Sequence, residues 1–302
     1  MKIFIKAQSP YDFDLSCLVF SDGDDQIRKY ADGRFWQVLR VNDKLIQVTV
    51  ESVGNVLKPV LSVELKSNDH ISDDDKLSTE IMISNIFNTD FDLDSFYQQV
   101  KYDKVLSKLS KELFGLKTPT TPTVFEALVD SIVEQQISLK AAHSIERRII
   151  KTFGSKTVVD EQIYFAFPKP EQLNNVPLHE IRECGLTLRK AEYIKDISKL
   201  IVTGKLDLEK FKRYKSIDDI IDELSEIRGI GKWTAELTII RGLKGLDSFP
   251  ADDIGIRRVI SHYYCHDQMI SADEAREIAK RWGKWKGLAA YYLIIREMSE
   301  VK

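Results

Sequence analysis

The apolar pattern of this chain changes period near residue 90, and that change restricts the possible folds more than any other feature. Before it, β-prone residues come in short runs. Phe35-Trp36-Gln37-Val38-Leu39-Arg40-Val41 and Leu45-Ile46-Gln47-Val48-Thr49-Val50 flank the polar pair Asn42-Asp43. Two such runs about a polar turn predict a β-hairpin, and Val60 to Leu65 predicts a third strand. Acidic Ser72-Asp73-Asp74-Asp75 then precedes Leu77, Ile81, Ile83 and Ile86, which predicts a capped helix start. Beyond residue 90, Val124 to Phe153, Pro177 to Ile201, Ile217 to Leu243 and Ala272 to Met298 carry apolar residues at helical spacing. Pro119, Pro122, Pro168, Pro170 and Pro250 punctuate them. The expected class is α+β, with a small α/β domain over residues 1–90 and an all-helical domain over residues 91–302.

With 302 residues, of which 43% are hydrophobic, the chain can bury the cores of two domains. No run of eighteen apolar residues marks a membrane span. The start, MKIFIKAQSPYDFD, is too polar for a signal peptide, so an intracellular, cytoplasmic setting is expected. Cys17, Cys184 and Cys265 are odd in number and far apart, which supports neither a disulfide framework nor a zinc site. Of the five histidines, His70, His143, His179, His262 and His266, only the last two share a ligand-like spacing, without a third partner. The net charge of −3 hides a split. Residues 1–90 hold ten Lys or Arg against fifteen Asp or Glu, whereas the remainder holds 34 against 32. The second part is mildly basic, which is compatible with a nucleic-acid partner if its charges cluster.

The most informative stretch is Leu224-Ser225-Glu226-Ile227-Arg228-Gly229-Ile230-Gly231-Lys232-Trp233-Thr234-Ala235. One predicted helix ends at the Gly229-Ile230-Gly231 turn and another begins at once. Two glycines allow a tight turn and leave backbone amides uncovered. At a helix N-terminus such amides can meet a phosphate oxygen without reading sequence. About twenty residues later comes Phe249-Pro250-Ala251-Asp252-Asp253-Ile254-Gly255, where two acids open a helix. Taken alone, either acid reads as an ordinary cap.

Together these motifs resemble the helix-hairpin-helix DNA glycosylase superfamily, and within it the 3-methyladenine DNA glycosylase II group. Ile132-Val133-Glu134-Gln135-Gln136-Ile137-Ser138 resembles the family's I-x-x-Q-Q-I-S segment. Gly185-Leu186-Thr187-Leu188-Arg189-Lys190-Ala191 resembles its G-x-x-x-R/K-K/R-A turn, and Arg281-Trp282-Gly283-Lys284-Trp285 its closing R-W-x-x-W. Ser9-Pro10-Tyr11-Asp12-Phe13 resembles the start of its N-terminal domain. Arg228 departs from the pattern, since the hairpin usually has Pro there.

The resemblance implies a TBP-like antiparallel sheet in the N-terminal domain and two helical lobes with the active site between them. It implies a monofunctional enzyme that flips alkylated bases out of double-stranded DNA and hydrolyses the N-glycosidic bond. Asp253 matches the catalytic carboxylate, which would stabilise positive charge on the deoxyribose or orient water. Asp252 is read as a cap or a supporting acid. Trp233, Trp285, Leu237 and Ile254 match the base pocket, with Val19 nearby, and Trp282 is expected in the core. Gln136 matches the side chain wedged into the duplex. Gly229, Ile230, Gly231, Lys232 and Thr234 are expected at the DNA backbone. The carbonyls of Ser225, Ile227 and Ile230 match the ligands of a monovalent cation.

Lyase-competent branches carry a Schiff-base Lys where this chain has Trp233, so no lyase step is expected. Only Cys265 follows the catalytic position, so no iron–sulfur cluster is expected. Neither a membrane nor an obligate protein partner is implied. Two other readings stay open: an 8-oxoguanine glycosylase of the same fold, and a non-enzymatic lesion-sensing DNA-binding protein in which Asp253 is only a cap.

Overall fold

The computed structural model describes residues 1–300. Strands β1 (Lys2–Lys6), β2 (Arg28–Ala31), β3 (Arg34–Val41), β4 (Lys44–Ser52) and β5 (Val60–Lys66) form one antiparallel sheet in the order β1-β5-β4-β3-β2. The three strands expected from the sequence are its centre. The two missed ones, β1 and β2, are its edges, both short and both carrying lysine. Asn42 and Asp43 both take left-handed φ, 45° and 66°, and Val41 pairs directly with Lys44. That two-residue loop matches the twist of its strands. Helix Asp73–Ile86 packs on this sheet. Ser72 accepts from the Asp75 amide at 3.2 Å, and the Asp75 carboxylate accepts from the Ser72 amide at 2.8 Å, completing a capping box. Phe35, Val48, Val50, Val63, Ile83 and Phe87 fill the core between helix and sheet.

The remainder is largely helical, which corrects the all-helical expectation. Strands β6 (Ser155–Val159) and β7 (Gln162–Ala166) form a second, two-stranded antiparallel sheet. It lies against β3 and β4, joined by Arg40 donating to Ser155 Oγ at 2.8 Å and Asn68 to Thr157 Oγ1 at 3.1 Å. Its turn, Asp160-Glu161, also takes left-handed φ, 49° and 66°. Glu is an uncommon residue there, so the turn is hidden in the sequence.

The helices divide into two apolar cores. One holds Leu93 to Leu116 and returns with Leu246 to Ile295. The other holds Val124 to Ile239. The chain thus leaves the first lobe, builds the second, and comes back. Arg28 on β2 ties the sheet to the second lobe through Glu126 at 3.0 Å and Glu146 at 3.3 Å. Buried Lys117 ties the first lobe to the segment that follows β1, donating to the Gln8 carbonyl at 2.8 Å; desolvation pushes its ammonium down to about 8.

Candidate active site

The hairpin is built by helix Ile217–Ser225 and helix Lys232–Leu243. Ser216 caps the first, its hydroxyl accepting from the Asp219 amide at 3.2 Å. The chain then tightens, with Ile227 N–H on the Leu224 carbonyl at 3.1 Å and Ile230 N–H on the Ile227 carbonyl at 3.0 Å. Gly229 has φ +90°, and a Cβ there would sit 2.3 Å from the Tyr193 ring, so no other residue fits. Arg228, the departure from the family pattern, leaves the turn intact. Its guanidinium donates to Glu192 at 2.6 Å and Asp196 at 3.1 Å and lies over the Tyr193 ring. Gly231 is the N-cap of the second helix, extended at φ −96°, and no side chain caps that helix. Its first-turn amides therefore lack a side-chain acceptor, and that leaves them suited to an incoming anion.

Lys244 closes the second hairpin helix in the left-handed region, and the chain passes through Pro250 to Asp253. Asp253 is the N-cap of helix Ile254–Tyr264. One carboxylate oxygen accepts the Ile256 amide at 3.0 Å. The other accepts Trp233 Nε1–H at 3.1 Å. This second bond crosses between the lobes, because Asp253 belongs to the segment returning to the first and Trp233 to the hairpin of the second. Gly255 leaves the carboxylate uncrowded, since a Cβ there would stand 3.0 Å from Asp253 Oδ1. The result is a half-buried carboxylate, oriented by two donors and supported by a helix N-terminus. Such a group can stabilise a developing cation or hold a water.

Of the two roles read for Asp252, a cap or a supporting acid, the structure does not give it the cap. It is exposed and pairs with Arg276, because Asp253 already occupies the capping position. Glu236, one helical turn after Trp233, was not singled out by sequence. It is buried with Oε2 unpartnered, and desolvation pushes its carboxyl up to about 7.

The other expected residues are placed unevenly. Ile254 is 76% exposed beside Asp253, Leu237 and Val19 are half-buried, and Lys232 is exposed. Trp285 is buried in the first lobe with ring edges toward Phe91 and Phe96, in the same core as Phe249, Ala251 and Ile256. Trp282 is fully buried, donating to Asp103. Two expected backbone-gripping residues face inward instead. Thr234 is buried and its hydroxyl accepts from Gln135 at 3.0 Å. Ile230 is buried and spends its amide inside the turn. Gln136 is exposed, at φ +56°, at the end of helix Val124–Glu134. His262 faces Asp267 at 2.8 Å rather than pairing with His266.

Residues 129–284 match the model of the HhH-GPD superfamily base excision DNA repair protein. A DNA-3-methyladenine glycosylase of Bacillus subtilis (strain 168) is 32% identical over 207 residues, 68% of each chain. One of Saccharomyces cerevisiae is 31% identical over 160 residues, 52% of each. A 3-methyladenine DNA glycosylase from Archaeoglobus fulgidus has the same fold, with a TM-score of 0.86, 24% identity and 98% of each chain covered. A Schizosaccharomyces pombe 3-methyladenine DNA glycosylase, solved in complex with abasic DNA, superposes with a TM-score of 0.57 at 26% identity, covering 66% of this chain and 95% of that one. No helix among the described residues is long and apolar enough to cross a membrane. With the family model matching over half of this chain and the Bacillus subtilis relative at 32% identity, this chain belongs to the HhH-GPD superfamily of base excision DNA repair proteins.

Proposed function

We propose that this chain is a monofunctional DNA glycosylase that extrudes alkylated bases of the 3-methyladenine type from duplex DNA and hydrolyses their N-glycosidic bond. The observation that carries this reading is the Asp253 carboxylate held by Trp233 Nε1 at 3.1 Å. The acid has its geometry, and the place of a Schiff-base lysine is filled by an indole. As the bond from the sugar C1′ to the base breaks, the base leaves with the electron pair and positive charge grows on the sugar. Asp253 faces that charge. Water then adds to C1′ and gives its proton to the Asp253 carboxylate, which passes it on to solvent. A base made cationic by alkylation is already a good leaving group, so no dedicated acid is needed. The relatives named DNA-3-methyladenine glycosylases support the substrate class.

Gln136 is proposed as the wedge that fills the stack, and Gly229, Gly231 and Lys232 as the grip on phosphate. The pocket would draw on Trp233, Leu237, Ile254 and Trp285. Three neutral carbonyls, from Ser225, Ile227 and Ile230, suit a monovalent cation in kind. The Ile227 oxygen already accepts the Ile230 amide at 3.0 Å and keeps one lone pair. A cation there would bridge the hairpin to a DNA phosphate and takes no part in bond cleavage.

The test is single-turnover excision from matched duplexes carrying 3-methyladenine, hypoxanthine, 8-oxoguanine or uracil, with borohydride present in a parallel set. Fastest release of the alkylated base and no trapped adduct are expected. A clear preference for 8-oxoguanine or uracil would overturn the substrate class, and a lysine-linked adduct would overturn the monofunctional reading.

A further inference from the structure

The segment that ends in Gln136 is held by two contacts that the catalytic reading does not use. Helix Val124–Glu134 runs out at Gln135, whose amide still reaches the Ile132 carbonyl at 3.3 Å. From there Lys190 takes over. This lysine, on helix Leu188–Val202, is buried, and its ammonium donates to the Val133 carbonyl at 2.9 Å and the Gln135 carbonyl at 2.5 Å. A buried ammonium satisfied by carbonyls is costly to place, and burial pushes its pKa down. What it secures is orientation: the peptide plane between Gln135 and Gln136 is pinned, and with it the left-handed backbone of Gln136 at φ +56°.

The side chain of Gln135 makes the second contact. Its Nε2 donates to the Gly229 carbonyl at 3.0 Å and to Thr234 Oγ1 at 3.0 Å. Both acceptors belong to the hairpin, one in its turn and one in the helix that follows it. The same hairpin rests on the helix that carries Lys190. The Tyr193 ring fills the space where a Gly229 Cβ would be, and Glu192 and Asp196 hold Arg228. One helix thus supports both the hairpin and the Gln136 tip, and Gln135 joins them directly.

We infer that Lys190 and Gln135 are positioning residues that couple base extrusion to phosphate engagement, by fixing the Gln136 tip at a set distance from the hairpin. The inference rests on the proposed role of Gln136 as the wedge. With the crosslink intact, gripping the phosphate delivers the tip to the stack. With it cut, the hairpin still binds, but the tip wanders.

The experiment uses the full-length protein and a duplex carrying 2-aminopurine beside an abasic-site analogue. Its fluorescence at saturation reads extrusion, and anisotropy on the same duplex reads affinity. Neither readout needs bond cleavage, so the outcome stands whether or not wild-type excision supports the proposed function. Gln135→Leu and Lys190→Met each remove two hydrogen bonds and should each lower the extrusion equilibrium read from the saturated signal by about fivefold or more, while affinity changes by less than about twofold. Lys190→Arg, which can still donate to both carbonyls, should restore most of the signal. A saturated signal equal to wild type in Gln135→Leu would overturn the inference. Parallel losses of affinity and extrusion would also overturn it, since they would mean that the contacts only hold the hairpin together. Should Lys190→Met fail to fold, Gln135→Leu decides alone.

Discussion

Asp253 combines two duties at one atom pair. It caps a helix and it presents the charge that the proposed chemistry needs. Asn caps as well as Asp, but its single oxygen can keep the Ile256 bond only by giving up the Trp233 bond, so Asp253→Asn should fold and bind duplex with a small loss of stability, about 1 kcal/mol. Excision should fall by about 10²-fold or more, because the preorganised negative charge is gone. Single-turnover excision beside anisotropy checks this, and near-normal excision by the variant would end the assignment of Asp253. Glu236 makes a separate prediction about stability. Its carboxyl is pushed from 4.5 to about 7 by desolvation. Between those values the unfolded chain gives up a proton that the folded chain keeps. Stability therefore falls as pH rises through that window and levels off above it. Glu236→Gln should flatten this part of the profile. Melting temperatures from about pH 4 to about pH 8 read it directly, and an unchanged profile would remove Glu236 as its source. The sequence marked Asp253 through its register with the hairpin. It did not mark Glu236, because nothing local to Thr234-Ala235-Glu236 says that this side chain is covered.

Among the elements, the hairpin separates two glycines that read alike in sequence. Gly229 is needed by the fold itself, with φ +90° and an aromatic ring where a Cβ would go. Gly231 is extended at φ −96° and has no atom within 4 Å of a Cβ position. Gly229→Ala should therefore destabilise the protein, by about 1–3 kcal/mol for the backbone alone, and weaken binding with it. Gly231→Ala should leave stability within about 0.5 kcal/mol. Its affinity for duplex should nonetheless drop, with little change in the slope of log affinity against log salt, because a backbone amide carries no charge that would release counterions. Thermal melts and binding titrations of both variants decide the matter; an unchanged Gly231→Ala affinity would take the phosphate grip away from this turn. The β6–β7 hairpin marks the limit of element reading. Asn42-Asp43 announced its turn by composition, whereas Asp160-Glu161 adopts the same left-handed pair with a residue that rarely does so. The tertiary contacts with β3 and β4 hold it there.

Across the whole molecule, the sheet and the second lobe meet through charge as well as apolar surface. Arg28 bridges Glu126 and Glu146, and burial pushes the carboxyls of Glu126 and neighbouring Asp130 upward. Arg28→Met would leave those acids without their cation, at a cost of about 3–5 kcal/mol near neutral pH. The cost should shrink on acidification, as the acids take up protons instead. Chemical denaturation at two pH values checks this, and an equal loss at both would show that the defect is one of packing. Read by itself, the sequence determined the three central strands, most of the helical remainder though not its β6–β7 pair, the hairpin, the carboxylate that follows it and the absence of a lysine at Trp233. The strands, helices and hairpin depend on periods or spacings within a few dozen residues, while the meaning of Asp253 and Trp233 came from the resemblance to the glycosylase superfamily. The tertiary structure alone decided that Trp233 reaches across the lobes to Asp253, that Asp252 turns away to Arg276, that Thr234 faces Gln135, and that Lys190 holds the end of a helix 55 residues away. Those facts depend on which surfaces meet when three cores are packed together, and packing joins residues whose separation along the chain carries no pattern.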